Sequence, residues 1–159
     1  ATAIVAAGGA HAAGFLSEVG LSPIDVDDVV MVIRAFPIRV PGNSGPLPQE
    51  STWEAVTRAS GAFEQLEELT SVTKSVRRVA MFDSEIVRQA IRANRPTRIA
   101  LNHLDYFDRT VAPGLMPSKR LIDSLEDIEA QIDKPIDIVG VSETLSLPRS
   151  VFLKCQVCA

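Results

Sequence analysis

The sequence lacks a long apolar run, an excess of positive charge and a recognisable leader, and each absence narrows what the protein can do. No apolar segment is long enough to span a membrane. The first residues carry no basic region of the kind that opens a signal peptide, so we expect a cytoplasmic protein. The formal net charge of −4 does not favour nonspecific nucleic-acid binding. We therefore expect neither a membrane nor a nucleic acid among its partners.

Cysteine is also scarce, since the chain has only Cys155 and Cys158, both close to its last residue. A Cys-x-x-Cys pair can bind metal or do redox work, but redox use requires a helix that begins after the first cysteine. Zinc would need two further ligands, and His11 and His103 are the two histidines of the chain. We favour two reduced thiols in a tail, and the sequence predicts no metal site.

The length of 159 residues suffices for one domain with a hydrophobic core. We therefore expect a single α/β domain over residues 1–159. The chain does not begin with Met, which leaves two interpretations open, a trimmed protein or a piece of something longer. It also has no G-x-x-x-x-G-K-[ST] motif, so Gly8-Gly9 is only a weak sign of anion binding at a helix amino terminus.

Apolar periodicity and turn residues predict the elements of the first half of the chain. Ser51, with Glu54 three positions on, is typical of a capping box that opens a helix. Trp53 in that helix is expected in the core. The first half of the long strand is expected to be buried on both faces. The predicted segments are a helix from His11 to Val19 ended by Gly20, a strand from Asp28 to Val40, a Pro/Gly-rich loop from Pro41 to Pro48 and a helix over residues 51–60.

The second half reads as alternating helices and strands. An order of helix, strand, helix and strand from residue 84 onward implies right-handed crossovers and parallel pairing. The expected fold class is therefore α/β, a mostly parallel sheet with flanking helices. The predicted segments are a helix over about 85–94 capped by Asp83 or Ser84, a strand that begins at Arg98 and ends at Asp105, a helix over about 118–132 and a strand over 136–141.

Two polar segments follow the predicted parallel strands, Asn102-His103-Leu104-Asp105 and Gly140-Val141-Ser142. Ligands of such sheets lie beyond the carboxyl ends of the strands. An ionised Asp accepts two hydrogen bonds side by side, and guanine offers two donors on adjacent nitrogens whereas adenine does not. Asp105 is therefore a candidate for reading a purine base. The alternative is that Asp105 only caps a loop.

The segment from Thr70 to Arg78 pairs hydroxyl groups with cationic side chains. Arginine recognises carboxylate or phosphate through a two-pronged fit, and threonine hydroxyls help to fix the orientation of the ligand. We favour a binding loop here, because strand-forming Val and Thr residues interleave with the charges. The alternative is a solvated basic turn.

Several segments together resemble one family, adenylosuccinate synthetase. Residues 45–50 resemble its G-P-F-P-T-E segment, and residues 69–79 resemble its aspartate-recognition loop. Residues 102–105 stand where the family has T-K-x-D, and residues 135–138 stand where it has a similar strand near the carboxyl terminus. The resemblance covers only the carboxyl-terminal part of a much longer family chain. It implies the carboxyl-terminal part of a P-loop-NTPase-like ligase fold.

The resemblance implies a GTP-dependent ligase that joins aspartate to a 6-oxopurine nucleotide, inosine monophosphate in the family, with magnesium required. It also assigns roles to residues of this chain. Thr73 and Arg77 would hold the carboxylates of the aspartate substrate. The expected partners are aspartate, a purine nucleotide, and either a missing amino-terminal half or a homodimer partner.

The nucleotide site is likewise assigned by the resemblance. Asp105 would read the guanine of GTP, His103 would stack on the base, and Gly140 and Ser142 would lie against it. The catalytic residues and the phosphate loop of the family belong to an amino-terminal portion that has no counterpart here. We therefore expect no catalytic residue and no magnesium site in this chain, and no activity from the chain alone.

The sequence also departs from the family. Ser75 stands where the family has a second arginine, His103 replaces the T-K-x-D lysine, and Val5-Ala6 lacks the hydroxyl of a V-T segment. Three hypotheses stay open: part of a ligase, a degenerate non-catalytic module that binds a nucleotide or dicarboxylate, and a related ligase for another 6-oxopurine nucleotide.

Overall fold

A computed structural model describes residues 11–109 and 117–154, which form a mixed α/β fold with two sheets. The strands are β1 (Val30–Arg34), β2 (Ile38–Arg39), β3 (Glu50–Ser51), β4 (Arg78–Ala80), β5 (Arg98–Asn102), β6 (Ile138–Gly140) and β7 (Ser146–Pro148). The helices are α1 (Ala12–Glu18), α2 (Trp53–Ser60), α3 (Ser84–Asn94), α4 (Lys119–Ile132) and α5 (Arg149–Lys154), with 3-10 turns at Pro23–Asp25 and Leu104–Phe107.

The larger sheet has the strand order β1-β5-β6-β7, and its first three strands run parallel. In β5, Ile99, Ala100 and Leu101 are all buried, as expected of a central parallel strand covered on both faces. The chain crosses from β5 to β6 through α4, whose apolar face is buried at Leu121, Leu125, Ile128 and Ile132. The predicted α/β class, the parallel pairing and the apolar face of the last long helix are confirmed.

The predicted single strand from Asp28 to Val40 is wrong. The chain leaves the larger sheet at Arg34, turns at buried Ala35 and Phe36, and enters the smaller sheet as β2. The expectation that the first half is buried on both faces also fails, because Val32 is 44% exposed. Within the described residues β1 is the edge strand of its sheet, so part of its surface stays open.

The smaller sheet, with the antiparallel order β2-β4-β3, holds the Pro/Gly-rich loop that joins β2 to β3. Arg78 in β4 forms a two-pronged ion pair with Glu50, with both N–O distances 2.6 Å. It also donates to the carbonyl oxygen of Gly45 at 2.9 Å. The guanidinium of Arg78 therefore holds this loop against the smaller sheet and has a structural role.

Side-chain caps open the helices, and one of them differs from the expectation. The cap of α2 is Thr52, whose hydroxyl accepts from the amide of Ala55 at 3.2 Å. Ser51 cannot fill this role, because it lies in β3 opposite Val79. The alternatives for α3 are settled in favour of Asp83, which accepts from two amides of the first turn. Trp53 is buried in the core as expected, at 6% exposure.

The end of the described chain contains two elements that the sequence pattern did not indicate, β7 and α5. α5 begins at Arg149, which forms a two-pronged ion pair with Glu129 of α4 at 2.7 and 2.8 Å. Cys155, Cys158, Val5-Ala6 and Gly8-Gly9 lie outside the described residues. Over residues 11–109 and 117–154, no helix is both long enough and apolar enough to cross a membrane.

Candidate functional site

Three parallel strands end side by side and define what we call the carboxyl edge of the sheet: Arg34 of β1, Asn102 of β5 and Gly140 of β6, with the residues that follow each. Arg34 lies opposite Asn102 in the β1–β5 register. This edge is where an α/β sheet binds its ligands. It carries four of the six site residues that the sequence predicts, which are His103, Asp105, Gly140 and Ser142.

Gly140 lets β6 approach β5 closely at this edge. A Cβ atom at position 140 would lie 2.8 Å from Oδ1 and 3.1 Å from Cα of Asn102, which is too close without a shift of the neighbouring strand. Ser142 begins the turn that leads to β7, and its hydroxyl accepts from the amide of Leu145 at 3.0 Å. Both residues therefore shape the edge, whatever contact they make with a ligand.

His103 follows β5 in the left-handed backbone conformation, with φ 60° and ψ 40°. This conformation turns the chain sharply and places the imidazole 4.9 Å from the ring of Tyr106, measured between centroids. The pKa of His103 is lowered, first by burial and then by the positive charge of Arg34. The neutral form of the ring therefore predominates at pH 7, and its buried Nδ1 has no hydrogen-bond partner in residues 11–109 and 117–154.

Asp105 is buried, with 6% of its surface exposed. Its Oδ2 accepts from Nη1 of Arg109 in an ion pair, and its Oδ1 has no hydrogen-bond partner among the residues that the structure describes. A buried acceptor without a donor costs free energy. The site therefore holds two buried polar atoms, Asp105 Oδ1 and His103 Nδ1, that a ligand with suitably placed hydrogen-bonding groups would satisfy.

The segment that the sequence predicts as a binding loop folds as a hairpin, which we call the 69–76 hairpin. Leu69 and Val76 pair as an isolated bridge, and the amide of Arg77 donates to the carbonyl of Glu68 at 2.8 Å. Inside the turn, the hydroxyls of Thr70 and Thr73 share a hydrogen bond of 2.6 Å. The hairpin therefore has internal order, and its hydroxyl groups are held close together.

The two candidate residues for aspartate binding both lie on this hairpin or at its base. Thr73 is exposed near the turn. Arg77 is half-buried, and its Nε donates to the carbonyl of Leu69 at 3.3 Å. Among residues 11–109 and 117–154 its guanidinium makes no ion pair, in contrast to Arg78 with Glu50. Whether Arg77 reaches a cleft on the side of Asp105 stays a prediction.

Glu68 connects the base of the hairpin to the carboxyl edge of the sheet. Its carboxylate pairs with Arg34 and accepts a hydrogen bond of 3.0 Å from the hydroxyl of Tyr106. Burial, followed by the negative charge of Glu68, raises the pKa of Tyr106, so the phenol stays protonated and remains a donor. This network of Arg34, Glu68 and Tyr106 thus links the base of the hairpin to the turn that follows β5.

Sequence reasoning missed Arg34, Glu68, Tyr106 and Arg109. A charged residue that ends an apolar strand, as Arg34 does, is a usable signal for a residue at the carboxyl edge. The spacing of four between Asp105 and Arg109 is a second one. Nothing in the sequence indicates the bond between Glu68 and Tyr106, because 38 positions separate them.

A separate groove of about 650 Å³ runs between β1 and α3. Its walls are mostly apolar and include Val30, Val32, Ile86 and Ala90. It contains Arg34 but none of the six predicted site residues. The groove therefore does not coincide with the predicted site at the carboxyl edge.

Comparison with known proteins identifies the family of this chain. The family model described as adenylosuccinate synthetase matches residues 3–112. The chain belongs to the adenylosuccinate synthetase family. Adenylosuccinate synthetase of Thermococcus sibiricus is 35% identical over 127 residues, which are 80% of this chain and 35% of that protein. The Methanocaldococcus jannaschii protein is 34% identical over 134 residues, 84% of this chain and 36% of that protein.

Solved structures give the same result for the fold. Succinoaminodeoxyadenylate synthetase of cyanophage S-2L, bound to dGMP and to dATP as an energy donor, superposes with a TM-score of 0.64 at 25% identity, over 91% of this chain and 42% of that one. Adenylosuccinate synthetase of Plasmodium falciparum superposes with a TM-score of 0.65 at 16% identity, over 83% and 42% respectively, which supports the fold alone. The chain spans only about 35–36% of the length of the two archaeal relatives.

Proposed function

We propose that this chain is the carboxyl-terminal portion of a GTP-dependent ligase that joins aspartate to a 6-oxopurine nucleotide in purine nucleotide biosynthesis. In this proposal the chain is one α/β domain that binds the nucleotide base and aspartate, works in the cytoplasm and is inactive alone. A missing amino-terminal half or a homodimer partner completes it. The observation that carries the proposal is a pair of buried polar atoms at the carboxyl edge of a family member, His103 Nδ1 and Asp105 Oδ1, neither of which has a hydrogen-bond partner among the described residues.

The base of the nucleotide fits this edge on chemical grounds. Asp105 offers a free carboxylate oxygen, which accepts an N–H of guanine. The neutral ring of His103 presents an aromatic face and an unpartnered nitrogen. Gly140 keeps the space beside Asn102 free of a side chain. In the proposal these residues bind and orient the base and exclude water from it.

Aspartate is assigned to the 69–76 hairpin. The hydroxyl of Thr73 and the guanidinium of Arg77 supply one hydrogen-bond donor and one cation for a carboxylate. Glu68 beside them is neutralised by Arg34, so its charge does not oppose an anionic substrate. The substitution of the family's second arginine by Ser75 removes one cation from the site and predicts weaker substrate binding than in the relatives.

In this proposal no residue that the structure describes takes part in phosphoryl transfer. When bound, GTP and magnesium supply the phosphoryl group that activates the 6-oxygen of the purine for attack by the aspartate amine. Within residues 11–109 and 117–154, no three His, Cys, Asp or Glu side chains are grouped to hold a metal ion. We therefore assign no step of the reaction to these residues beyond binding and orientation.

The purine substrate is left open between two kinds of nucleotide. The archaeal relatives are adenylosuccinate synthetases, whereas the phage enzyme was solved with dGMP and with dATP as an energy donor. Inosine monophosphate and dGMP both carry a 6-oxo group. Substrate assays should therefore offer both nucleotides, each with GTP and with ATP.

A second candidate function is a non-catalytic module that binds a nucleotide or a dicarboxylate. The ion pair of Arg109 with Asp105 favours it, because one oxygen of the base-reading carboxylate is already occupied. Ser75 also favours the non-catalytic module, because it stands where the family has a second arginine. The two functions differ in turnover once the chain is joined to the complementary portion of a relative such as the Thermococcus sibiricus enzyme: the ligase portion supports product formation, and the module supports binding only.

Calorimetric titration with GDP and ADP tests the base site. The expected result is measurable GDP binding that Asp105→Asn weakens by about 10-fold or more, since a charged hydrogen bond contributes about 1.5–3 kcal/mol. Asp123→Asn is the matched control, since Asp123 is paired with Lys119 on the surface of α4. Equal effects of the two variants, or no binding of either nucleotide, would contradict the base site. Product formation by the isolated chain with GTP, magnesium, aspartate and inosine monophosphate would contradict the expected inactivity.

A further inference from the structure

Asp105 is not free in the structure, because Arg109 occupies one of its two carboxylate oxygens. Nη1 of Arg109 contacts Oδ2, whereas Oδ1 is buried and has no partner within the part of the chain that the structure describes. The side chain of Asp105 is 8% exposed and that of Arg109 is 34% exposed. The carboxylate is therefore buried, whereas the side chain of Arg109 is partly open to solvent.

The fold positions Arg109 for this contact. The amide of Arg109 donates to the carbonyl of Ser60, the last residue of α2, at 2.9 Å. The amide of Asp108 donates to the carbonyl of Asp105 at 3.1 Å, which closes the turn between the two charges. The guanidinium also lies 5.7 Å from the ring centre of Tyr106. Backbone and ring contacts together hold the cation beside the carboxylate.

Guanine and adenine differ in the number of hydrogen-bond acceptors that they need from the carboxylate of Asp105. Guanine presents two neighbouring N–H donors, and its full recognition needs both oxygens of one carboxylate. Adenine presents a single amino group on the same edge and needs one acceptor. Oδ2 already accepts from Arg109, whereas Oδ1 has no hydrogen-bond partner among the described residues. The second donor of guanine must therefore share Oδ2 with the guanidinium or displace it, whereas a single adenine donor can use Oδ1 alone.

We propose that Arg109 sets the base selectivity of this site by competing with guanine for the carboxylate of Asp105. The inference rests on the proposed nucleotide site and adds a specificity-determining residue to it. In the unmodified chain the preference for guanosine over adenosine nucleotides is small. Removal of the guanidinium frees Oδ2 and increases that preference through the affinity for guanosine nucleotides alone.

The test measures GDP and ADP affinities by ligand-detected NMR at millimolar nucleotide for the unmodified chain, Arg109→Ala and Arg109→Gln. Arg120→Ala is the matched control, because Arg120 also donates to the end of α2, at the carbonyl of Ala59, without an ion pair to Asp105. Thermal unfolding monitors the fold of each variant. Arg109→Gln keeps most of the side chain and serves if Arg109→Ala does not fold.

The expected result is a rise in GDP affinity of about 10-fold in the Arg109 variants, the size of a charged hydrogen bond, with ADP affinity changed less than about two-fold and the control unchanged. A GDP affinity that stays the same or falls, in a folded variant that still binds nucleotide, would overturn the role of Arg109 and leave the nucleotide site standing. Absence of binding by all variants would overturn the site itself and this inference with it.

Discussion

The hydroxyl of Tyr106 donates a hydrogen bond of 3.0 Å to Oε1 of Glu68, which joins the turn after β5 to the base of the 69–76 hairpin. Glu68 also pairs with Arg34 at the end of β1. The two regions that the family resemblance assigns to the base and to aspartate therefore meet at one carboxylate. A change in this network is expected to affect both sites.

Tyr106→Phe is expected to reduce the free energy of unfolding by about 1.5–3 kcal/mol, because it removes a donor to a partly buried charged acceptor and keeps the ring. Urea unfolding of Tyr106→Phe, Glu68→Gln and the double variant measures the coupling between the two residues. Effects that simply add in the double variant would show that the two side chains do not interact.

Arg77→Leu is expected to abolish the binding of aspartate or succinate with little change in melting temperature, since a partly exposed cation contributes little to folding. Arg78→Leu is the matched control at the next position. It breaks the two-pronged pair with Glu50 and the contact with Gly45, so it should lower the melting temperature. Unfolding of the domain by Arg77→Leu, or unchanged succinate binding in calorimetry, would contradict the assignment.

Gly140→Ala is expected to cost about 1–3 kcal/mol of unfolding free energy, because the new methyl group overpacks the contact with Asn102. Gly14→Ala in α1 is the control: its Cβ would lie 3.4 Å from the ring of His11, and alanine gains about 1 kcal/mol of helix propensity. Chemical denaturation of both variants distinguishes a packing requirement from a general effect of added methyl groups. Equal stability of Gly140→Ala and Gly14→Ala would contradict the close approach of β6 to β5 at Gly140.

The pKa of His103 is lowered in the folded chain by burial, so the unfolded chain takes up a proton at a higher pH than the folded one. Stability is therefore expected to fall as the pH drops below about 6.5, the ordinary pKa of histidine. His103→Asn should remove this part of the pH dependence, and asparagine tolerates the left-handed backbone at this position. Urea unfolding between pH 7.5 and 5 tests it. An equal dependence of the free energy of unfolding on pH in the unmodified chain and in His103→Asn would contradict the claim that burial lowers the pKa of His103.

The sequence predicts the secondary structure well where apolar periodicity is strong. It predicts the structure less well where contacts between distant residues determine the path of the chain. Alternation of apolar runs predicted β5, α4 and β6, whose parallel pairing places Asp105 and Ser142 at one edge. The run from Asp28 to Val40 contains no signal that the chain changes sheets at Arg34. The occupation of Asp105 by Arg109 depends on a turn that Ser60 anchors from another element, and no local pattern predicts such a contact.

The central claim is that the carboxyl edge of the sheet binds a purine base in this family member. The most direct measurement is protein-detected NMR of the chain titrated with GDP. The account predicts that the amide shifts concentrate at Arg34, at residues 102–105 and at residues 140–142, and that Asp105→Asn reduces them. Shifts confined to the groove between β1 and α3, or no shifts at millimolar GDP, would contradict it.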